Sequence, residues 1–387
     1  MNVVHVITGL DTGGAELMLA RMLGQPDRTG AGTAVISLTD IGPAGRSIQA
    51  AEVPVFALGM PRGVPDPRAL VKLTRLLRSL RPDVVQTWLY HADLMGGLAA
   101  KMAGGIPVAW GLHLGNLAPE LNKRSTLMTA RACGRLSGVL PTTIVCCAEA
   151  TQQSHAKIGY RTDKMVVIHN GFDLDQFLPD SRAHNRIRQE LGLSSDTVLI
   201  GLVARFDPQK DHKTFVQAAG LLAAYRPEVR FVLCGAGISW ENQTLATWIE
   251  AAGLRDRVHL LGRRDDMAAV QAALDLACSS SRGEAFPLAV GEAMAAGVPC
   301  VVTDVGDSAV IVGETGRVVP ARDPAAMAAA LTELVAIGPE CRHQLGVDAR
   351  RRIAERFSLE RMLASYDSLY AGLSRRSTAA SVLEGLR

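Results

Sequence analysis

Short runs of valine, isoleucine, leucine and threonine alternate with helical patterns along almost the whole chain, in two successive series. The first holds "VVHVIT" (3–8), "TAVISL" (33–38), "VPVFAL" (53–58), "DVVQTW" (83–88), "IPVAWGLH" (106–113), "TTIVCCA" (142–148) and "KMVVIHNG" (164–171). Helical stretches such as "AELMLARML" and "PRALVKLTRLLRSL" lie between them. Strand, helix, strand, with turn residues at the junctions, is the pattern of a parallel sheet covered on both faces. The rhythm breaks over "FDLDQFLPDSRAHNRIRQELGLSSD", which is polar, contains Pro179 and reads as a connector. A second series follows: "TVLIGLVA" (197–204), "VRFVLCG" (229–235), "VHLLG" (258–262), "LDLACSS" (274–280), "PCVVTD" (299–304) and "GRVVP" (316–320). A chain of 387 residues exceeds one ordinary core, so two α/β units of similar size, facing each other, are expected.

The last helical pattern, "SLERMLASYDSLYAGL" (358–373), has apolar residues at 359, 362, 363, 366, 369, 370 and 373. These form one stripe, so the helix must pack on something. Beyond it, "SRRSTAASVLEGLR" reads as a polar tail with weak helical potential. The formal charge of +3 is too small to argue for a nucleic-acid partner. Seven cysteines, an odd count without a C-x-x-C pair, indicate neither a disulfide framework nor a zinc site. They read as small apolar residues buried in a reduced compartment. "NVVHVITGL" follows Met1 without a basic leader, and no apolar run of about 18 residues could span a bilayer. A cytoplasmic protein, at most attached to a membrane surface, is expected.

Four local signals carry chemistry. In "GLDTGGAEL" (9–17), Gly13 and Gly14 precede a helix with Glu16 in its first turn. Such glycines let a bound group approach the backbone, and free helix amides suit an anion. A plain strand-to-helix turn explains the same residues. No G-K-[ST] follows, so this is not a P-loop. In "VARFDPQKDHKTF" (203–215), Arg205 lies just past a strand and Lys210 follows through a Pro208 turn. Cations there point to the crevice where open α/β sheets bind ligands, and together suit a diphosphate. Solvated surface charges are the alternative. "FVLCGAGISW" (231–240) fails the dinucleotide fingerprint because Trp240 stands where a small residue is needed. Gly235 and Gly237 either let a loop approach a ligand or make a tight turn.

The fourth signal is "SRGEAFPLAVGEAMAAGVPC" (281–300). Glu284 falls in the loop after a strand, and Pro287 suits the first position of a helix that ends near Gly297 and Pro299. Glu292 lies one to two turns inside that helix, which is apolar on most sides. A carboxylate there is costly unless it accepts hydrogen bonds. Amides around Phe286, Pro287 and Leu288, the proline contributing none, make the helix end friendly to anions. Two acceptors and an amide cluster suit sugar or ribose hydroxyls together with a phosphate.

The Gly-Gly-Ala-Glu loop (13–16), "IHNGFD" (168–173), Arg205 with Lys210, "LLGRRDD" (260–266), the E-x7-E pair and "VVPARDPAAMAAAL" occur in register over nearly the whole chain. Together they resemble the GT-B glycosyltransferases, most closely glycosyltransferase family 4. The resemblance implies an α/β GT-B fold: two Rossmann-like domains facing across a cleft, and a C-terminal helix crossing back to the N-terminal domain. Residues 1–175 would be the acceptor-binding domain, 176–357 the nucleotide-sugar-binding domain, and 358–387 the crossover helix and tail. It further implies that Glu292 meets the ribose and Glu284 the donor sugar. Arg205 and Lys210 would hold the diphosphate, with amides at 286–288 and the Gly13–Gly14 loop around it. Backbone near Arg263 would meet the base. His113 would lie near the donor sugar, and His91 on the acceptor side. Catalysis would thus rest on His113, Glu284, Arg205 and Lys210.

The implied activity is a retaining transfer of sugar from a nucleotide sugar, a UDP-sugar, to a glycan, glycolipid or small-molecule acceptor. An Arg, a Lys and helix-end amides aimed at the departing diphosphate remove the need for a metal or other cofactor. The D-x-D at Asp173 and Asp175 falls inside the "NGFD" turn, away from where a metal-dependent transferase would place it. After "PCVVTD" the chain departs from the family's frequent Gly-Gly: Asp307 replaces the second glycine and Val310 stands where an acid often follows. A sugar-nucleotide epimerase, a phosphorylase and a non-catalytic binding protein share the architecture and are the rival expectations. Basic sets at Arg68, Lys72, Arg75 and Arg78 and at Lys123, Arg124, Arg131 and Arg135 are either solvated faces or contacts to an anionic membrane.

Overall fold

The computed structural model describes residues 1–25, 32–61 and 66–384, the last nine of these by backbone alone. The chain divides into two compact units. One is Met1–Gly171 together with the chain from Glu360 onward, and the other is Phe172–Leu359.

The first unit contains β1 (Val3–Ile7), β2 (Thr33–Ser37), β3 (Val55–Ala57), β4 (Val84–Trp88), β5 (Val108–Leu112), β6 (Thr143–Cys146) and β7 (Met165–Val167). They pair in parallel in the order β3-β2-β1-β4-β5-β6-β7. Strands β1, β4 and β5 are buried along their whole length. Burial on both faces is why they read as aliphatic runs with no polar alternation. The second unit contains β8 (Val198–Val203), β9 (Val229–Cys234), β10 (Val258–Leu260), β11 (Leu276–Ser279), β12 (Cys300–Thr303) and β13 (Arg317–Val319). Their order is β10-β9-β8-β11-β12-β13, again all parallel. Each sheet is wound outward in both directions from a central pair, β1 with β4 and β8 with β11. Strand order reverses at that pair, and the crevice beyond its carboxyl ends is where such sheets take ligands.

The polar segment after β7 is more than a connector. It contains a helix, Ser181–Glu190, whose first amides, Arg182 and Ala183, are capped by the Asp180 carboxylate. Ile187 is its apolar anchor, and the Arg188 guanidinium reaches the Asp275 carboxylate at 3.0 Å, just before β11. Asp275 also accepts the Leu199 amide at 2.7 Å. A helix with one buried aliphatic side chain, held otherwise by polar contacts such as Arg186 to Asp266 and Arg264 to Glu190, carries few apolar residues, which is why its sequence looks like a linker.

The units part between Gly171 and Phe172, where the rhythm of the sequence breaks and four residues before the boundary that the resemblance implies. Phe172 stacks on Phe286 at 5.8 Å and lies where any side chain at Gly291 would stand. The last helix, Leu359–Glu384, extends well into the stretch expected to be a polar tail. Its Met362, Tyr366, Tyr370 and Leu373 are buried, as the stripe requires. Six cysteines are buried and free, while Cys341 is exposed. Among the described residues, no helix is long and apolar enough to cross a membrane.

Candidate active site

In the second unit, two loops at the carboxyl ends of the central strands β8 and β11 are fastened to each other. The Asp207 carboxylate accepts the Gln209 amide at 2.9 Å, and the Lys210 amide donates to the Asp207 carbonyl at 2.9 Å. These bonds fix the turn that carries Lys210. Beyond β11, the Ser280 hydroxyl lies 2.9 Å from the Lys210 carbonyl and 3.0 Å from that of Asp211. The Arg282 amide donates to the Gln209 carbonyl at 2.7 Å. As a result Lys210 Nζ meets Glu284 Oε1 at 2.5 Å, and the Ser281 hydroxyl donates to the same oxygen at 2.6 Å. Both charged side chains are largely shielded, 21% exposed for Lys210 and 11% for Glu284. From β12, the Thr303 hydroxyl donates to the Ser281 carbonyl at 2.6 Å. The buried Asp307, where the sequence departs from Gly-Gly, donates its amide to the Ala285 carbonyl at 2.9 Å. The altered loop therefore still braces the Glu284 loop.

The helix that follows is Leu288–Ala295, with Pro287 as its extended N-cap. It begins one residue later than the proline suggested. No side chain caps this end and no acid stands in its first turn, so its first amides have no partner within the helix. Glu292 is buried one turn further in. Phe286 packs its ring against Phe172 and Phe357. A cavity of about 40 Å³ is lined by Lys210, Gln271, Ser281, Glu284, Pro287 and Leu288 among others. Gln271 is fully buried: its amide donates to the Ala289 carbonyl at 3.1 Å, and its Oε1 has no hydrogen-bond partner among the described residues.

Arg205 is about half exposed and contacts Asp207 at 3.2 Å. Gly235, at φ +152°, lies where a side chain would strike the Ala204 carbonyl, so its close approach is to the neighbouring loop of the same chain. Its amide donates to the Gly262 carbonyl at 2.8 Å, which sets the exposed Arg263 beside this group of loops. Lys210, Glu284, Pro287 and Leu288 thus line one cavity. Glu292, Phe286, Arg205, Gly235 and Arg263 belong to the same unit.

Gly13, Gly14, His91 and His113 belong to the first unit. Gly13 is the extended N-cap of helix Gly14–Leu23, at φ −84°, and the Glu16 carboxylate folds back over it. The helix's own acid therefore already faces that end. His113 follows β5 and stacks on Trp88 at 4.9 Å and 15°. Its Nε2 is buried with no hydrogen-bond partner among the described residues, and burial lowers the ring's pKa to about 4. It is a neutral imidazole at physiological pH. His91 lies on helix Tyr90–Met102, 3.5 Å from the Thr129 hydroxyl, and burial lowers its pKa as well. On the same helix, Asp93 accepts from the Thr87 hydroxyl at 2.6 Å and the Gly111 amide at 3.2 Å. Burial holds its carboxyl well above the usual carboxylate range. The Asp173 carboxylate is occupied as a turn cap, accepting the Asp175 and Gln176 amides. Among the described residues, no group of three or more His, Cys, Asp or Glu side chains could hold a metal ion.

Sequence reasoning passed over Ser280, Ser281, Thr303 and Gln271, which shape the Glu284 loop. The run of hydroxyls closing "LACSSS" was the available signal, since three polar residues at a buried strand end need partners. Trp88 carried no signal beyond closing a strand.

The sequence model described as Glycosyltransferase Family 4 matches residues 12–176, and that described as Glycosyl transferases group 1 matches residues 197–336. Together the two models span most of the chain, which is of the glycosyltransferase family 4 type. It is 27% identical over 245 residues to the UDP-Gal:alpha-D-GlcNAc-diphosphoundecaprenol alpha-1,3-galactosyltransferase of Escherichia coli, covering 62% of this chain and 63% of that one. It is 33% identical over 218 residues to the D-inositol 3-phosphate glycosyltransferase of Corynebacterium glutamicum strain R, covering 54% of this chain and 51% of that one. The matches thus span between half and two thirds of these relatives' lengths. Among solved structures, Anabaena HepE in complex with UDP is similar over 96% of this chain and 100% of that one, with a TM-score of 0.84 at 22% identity. Sucrose-phosphate synthase from Thermosynechococcus elongatus is similar over 98% and 100%, with a TM-score of 0.79 at 20% identity. These likenesses establish the GT-B fold.

Proposed function

We propose that this chain transfers a sugar from a UDP-sugar to a glycan, glycolipid or small-molecule acceptor, as a step in polysaccharide or glycoconjugate biosynthesis. The observation that carries the reading is the shielded Lys210–Glu284 pair beside the uncapped N-terminus of helix Leu288–Ala295. It sets a cation, a carboxylate and free amides around one small volume. The choice of UDP is supported by the E. coli relative, whose name specifies UDP-Gal, and by HepE, whose structure holds UDP.

In the reaction, the bond between the anomeric carbon and the β-phosphate oxygen breaks. The acceptor hydroxyl oxygen bonds to that carbon on the same face, and its proton passes to the departing phosphate. Negative charge grows on the diphosphate as it leaves. Lys210, Arg205 and the amides of the helix end stabilise that charge, each well-placed donor contributing about 3 kcal/mol. Glu284 meets the sugar hydroxyls, Glu292 the ribose, and neutral His113 the transferred sugar. The charge complement comes from side chains and amides, so transfer proceeds without a divalent cation, and attack on the same face retains the configuration.

The test is UDP release from UDP-glucose, UDP-galactose and UDP-N-acetylglucosamine by wild type, Lys210→Ala and Glu292→Ala. Transfer is lost in both variants although circular dichroism shows them folded; wild-type turnover in both overturns the reading. Activity retained in excess EDTA, with an α-linked product by NMR, supports the metal-free retaining course, and EDTA inactivation or a β product contradicts it.

A membrane-side acceptor is favoured by one surface. Helix Arg124–Leu136 exposes Arg124, Arg131 and Arg135 around Met128, which is 69% exposed, with Val139 nearby at 63%. Apolar side chains standing out among cations suit an anionic lipid surface. Co-sedimentation with phosphatidylglycerol vesicles that weakens in high salt and in Met128→Ser supports this docking. Binding indifferent to both contradicts it.

A further inference from the structure

We infer that Tyr366, on the C-terminal helix, is a positioning residue for His113, acting through the indole of Trp88. This deepens the proposed function and rests on its placing of His113 against the transferred sugar.

Five rings and two hydrogen bonds make the connection, all within the first unit. Trp88 closes β4 and is fully buried. One of its contacts is the His113 ring, nearly parallel at 4.9 Å. Another is Tyr366, whose ring lies 6.2 Å away at 28°. The indole cannot rotate in its own plane, because its Nε1–H donates to His5 Nδ1 at 3.2 Å. Trp Nε1 is a donor only, so His5 Nδ1 must be the unprotonated nitrogen of a neutral ring. The helix is held in register one turn further on. The Tyr370 hydroxyl donates to Gln86 Oε1 at 3.3 Å, and the Tyr370 ring meets His5 edge-on at 6.4 Å. Tyr366 and Tyr370 touch each other at 5.7 Å. The result is a packed set of rings from residues 5, 88, 113, 366 and 370, three on or beside the strands and two on the helix that closes it.

His113 needs such support because its own contacts do not fix it. Its Nε2 has no hydrogen-bond partner among the described residues, so that nitrogen does not set the ring's angle. Stacking on Trp88 is the orienting contact, and Trp88 is held flat by Tyr366 and His5. A side chain that acts on a reacting sugar must be held within about half an ångström, and packing of the supporting ring supplies that. Removing Tyr366 would leave a void beside the indole, and the imidazole would lose its fixed platform.

The experiment uses the full chain with ¹³C-labelled histidine, and compares wild type, Tyr366→Leu and Tyr366→Phe. The first readout needs no substrate: the ring protons of His113, assigned with His113→Asn, are displaced by the Trp88 ring current. Tyr366→Leu is expected to move and broaden them, whereas Tyr366→Phe keeps the stacked ring and leaves them in place. The second readout is UDP release from UDP-glucose, UDP-galactose and UDP-N-acetylglucosamine. Tyr366→Leu lowers kcat by about tenfold with KM for the donor changed less than about twofold, and Tyr366→Phe recovers it. If Tyr366→Leu does not fold, Tyr366→Met fills more of the void and is read the same way. A His113 signal unchanged in Tyr366→Leu overturns the inference whatever the turnover. A displaced signal with full turnover in both Tyr366→Leu and His113→Asn instead leaves the positioning intact and overturns the catalytic placing of His113.

Discussion

The two sheets share one winding, outward from β1 with β4 and from β8 with β11, yet the residues beyond their carboxyl ends differ in kind. In the second unit they are charged and hydroxyl-bearing, and each is held by another polar group: Lys210 by Glu284, Glu284 by Ser281, and the Ser281 carbonyl by Thr303. In the first unit the ends of β4 and β5 carry an aromatic, neutral pair, Trp88 and His113 stacked together, with Asp93 nearby, whose carboxyl burial holds well above the usual carboxylate range. The same topology therefore supplies a fixed field in one unit and a neutral, shaped wall in the other. In the proposed reaction the field serves the nucleotide diphosphate and the wall the acceptor side.

The largest effect should come from breaking the charged side of this contrast. Lys210→Ala is expected to lower kcat/KM by about 10²–10³-fold, as loss of a preorganised donor to a leaving group does. It also leaves the shielded Glu284 carboxylate with less than its full complement of partners, at a cost of about 1–3 kcal/mol in stability. The double variant Lys210→Met with Glu284→Gln should recover part of that stability and none of the activity, as urea unfolding and UDP release would show. Additive losses would mean that the two side chains do not act as a pair.

On the neutral side, His113→Asn should reduce turnover by about 10–10²-fold while UDP binding by calorimetry stays within about twofold. Loss of UDP binding would place His113 on the nucleotide and blur the contrast.

The acid response sharpens it further. Burial lowers the pKa of His113 and His155 in the first unit, and of His212 in the second, from 6.5 to about 4. Folding keeps these rings neutral, so the unfolded chain binds more protons between those values. Their contribution to stability is whole above pH 6.5 and is lost as the pH falls toward 4. Asp93, raised by burial, works in the opposite direction: the folded chain takes up its proton more readily than the unfolded chain, so acid favours folding. Comparing wild type with His155→Gln isolates the histidine: the variant's thermal midpoint should fall less between pH 7 and pH 5. By NMR, His113 should titrate near 4, and a midpoint near 6.5 would show an open ring.

The smallest effect is local. Asp180→Ala removes the cap of helix Ser181–Glu190 and should cost about 1 kcal/mol, with activity unchanged. A loss of activity would mean that this helix does more than pack.

The contrast also explains what could be read from the sequence. Both sheets were legible, because strands buried on two faces leave continuous aliphatic runs that turn residues interrupt. The loop position of Glu284 and the helix position of Glu292 were legible too, since a proline and a glycine bracket the short helix between them. Helix Ser181–Glu190 was not, because Ile187 and polar contacts hold it with few apolar residues. Nor was the ring assembly around His113, because residues 5, 88, 113 and 366 meet only through strand order and the return of the last helix. Gly13 and Gly14 looked open to an anion from spacing alone, and the Glu16 carboxylate over that end is a side-chain choice that spacing does not encode.

The central claim is that the second unit's carboxylate and cation loops bind a uridine nucleotide. The most direct measurement is the thermal midpoint of wild type, Glu292→Ala and Lys210→Ala with and without millimolar UDP. Ligand at 100 times its Kd adds about 2.7 kcal/mol to the folded state, so wild type should melt several degrees higher and both variants should shift little. A wild type indifferent to UDP, or variants stabilised as fully as wild type, would contradict the account.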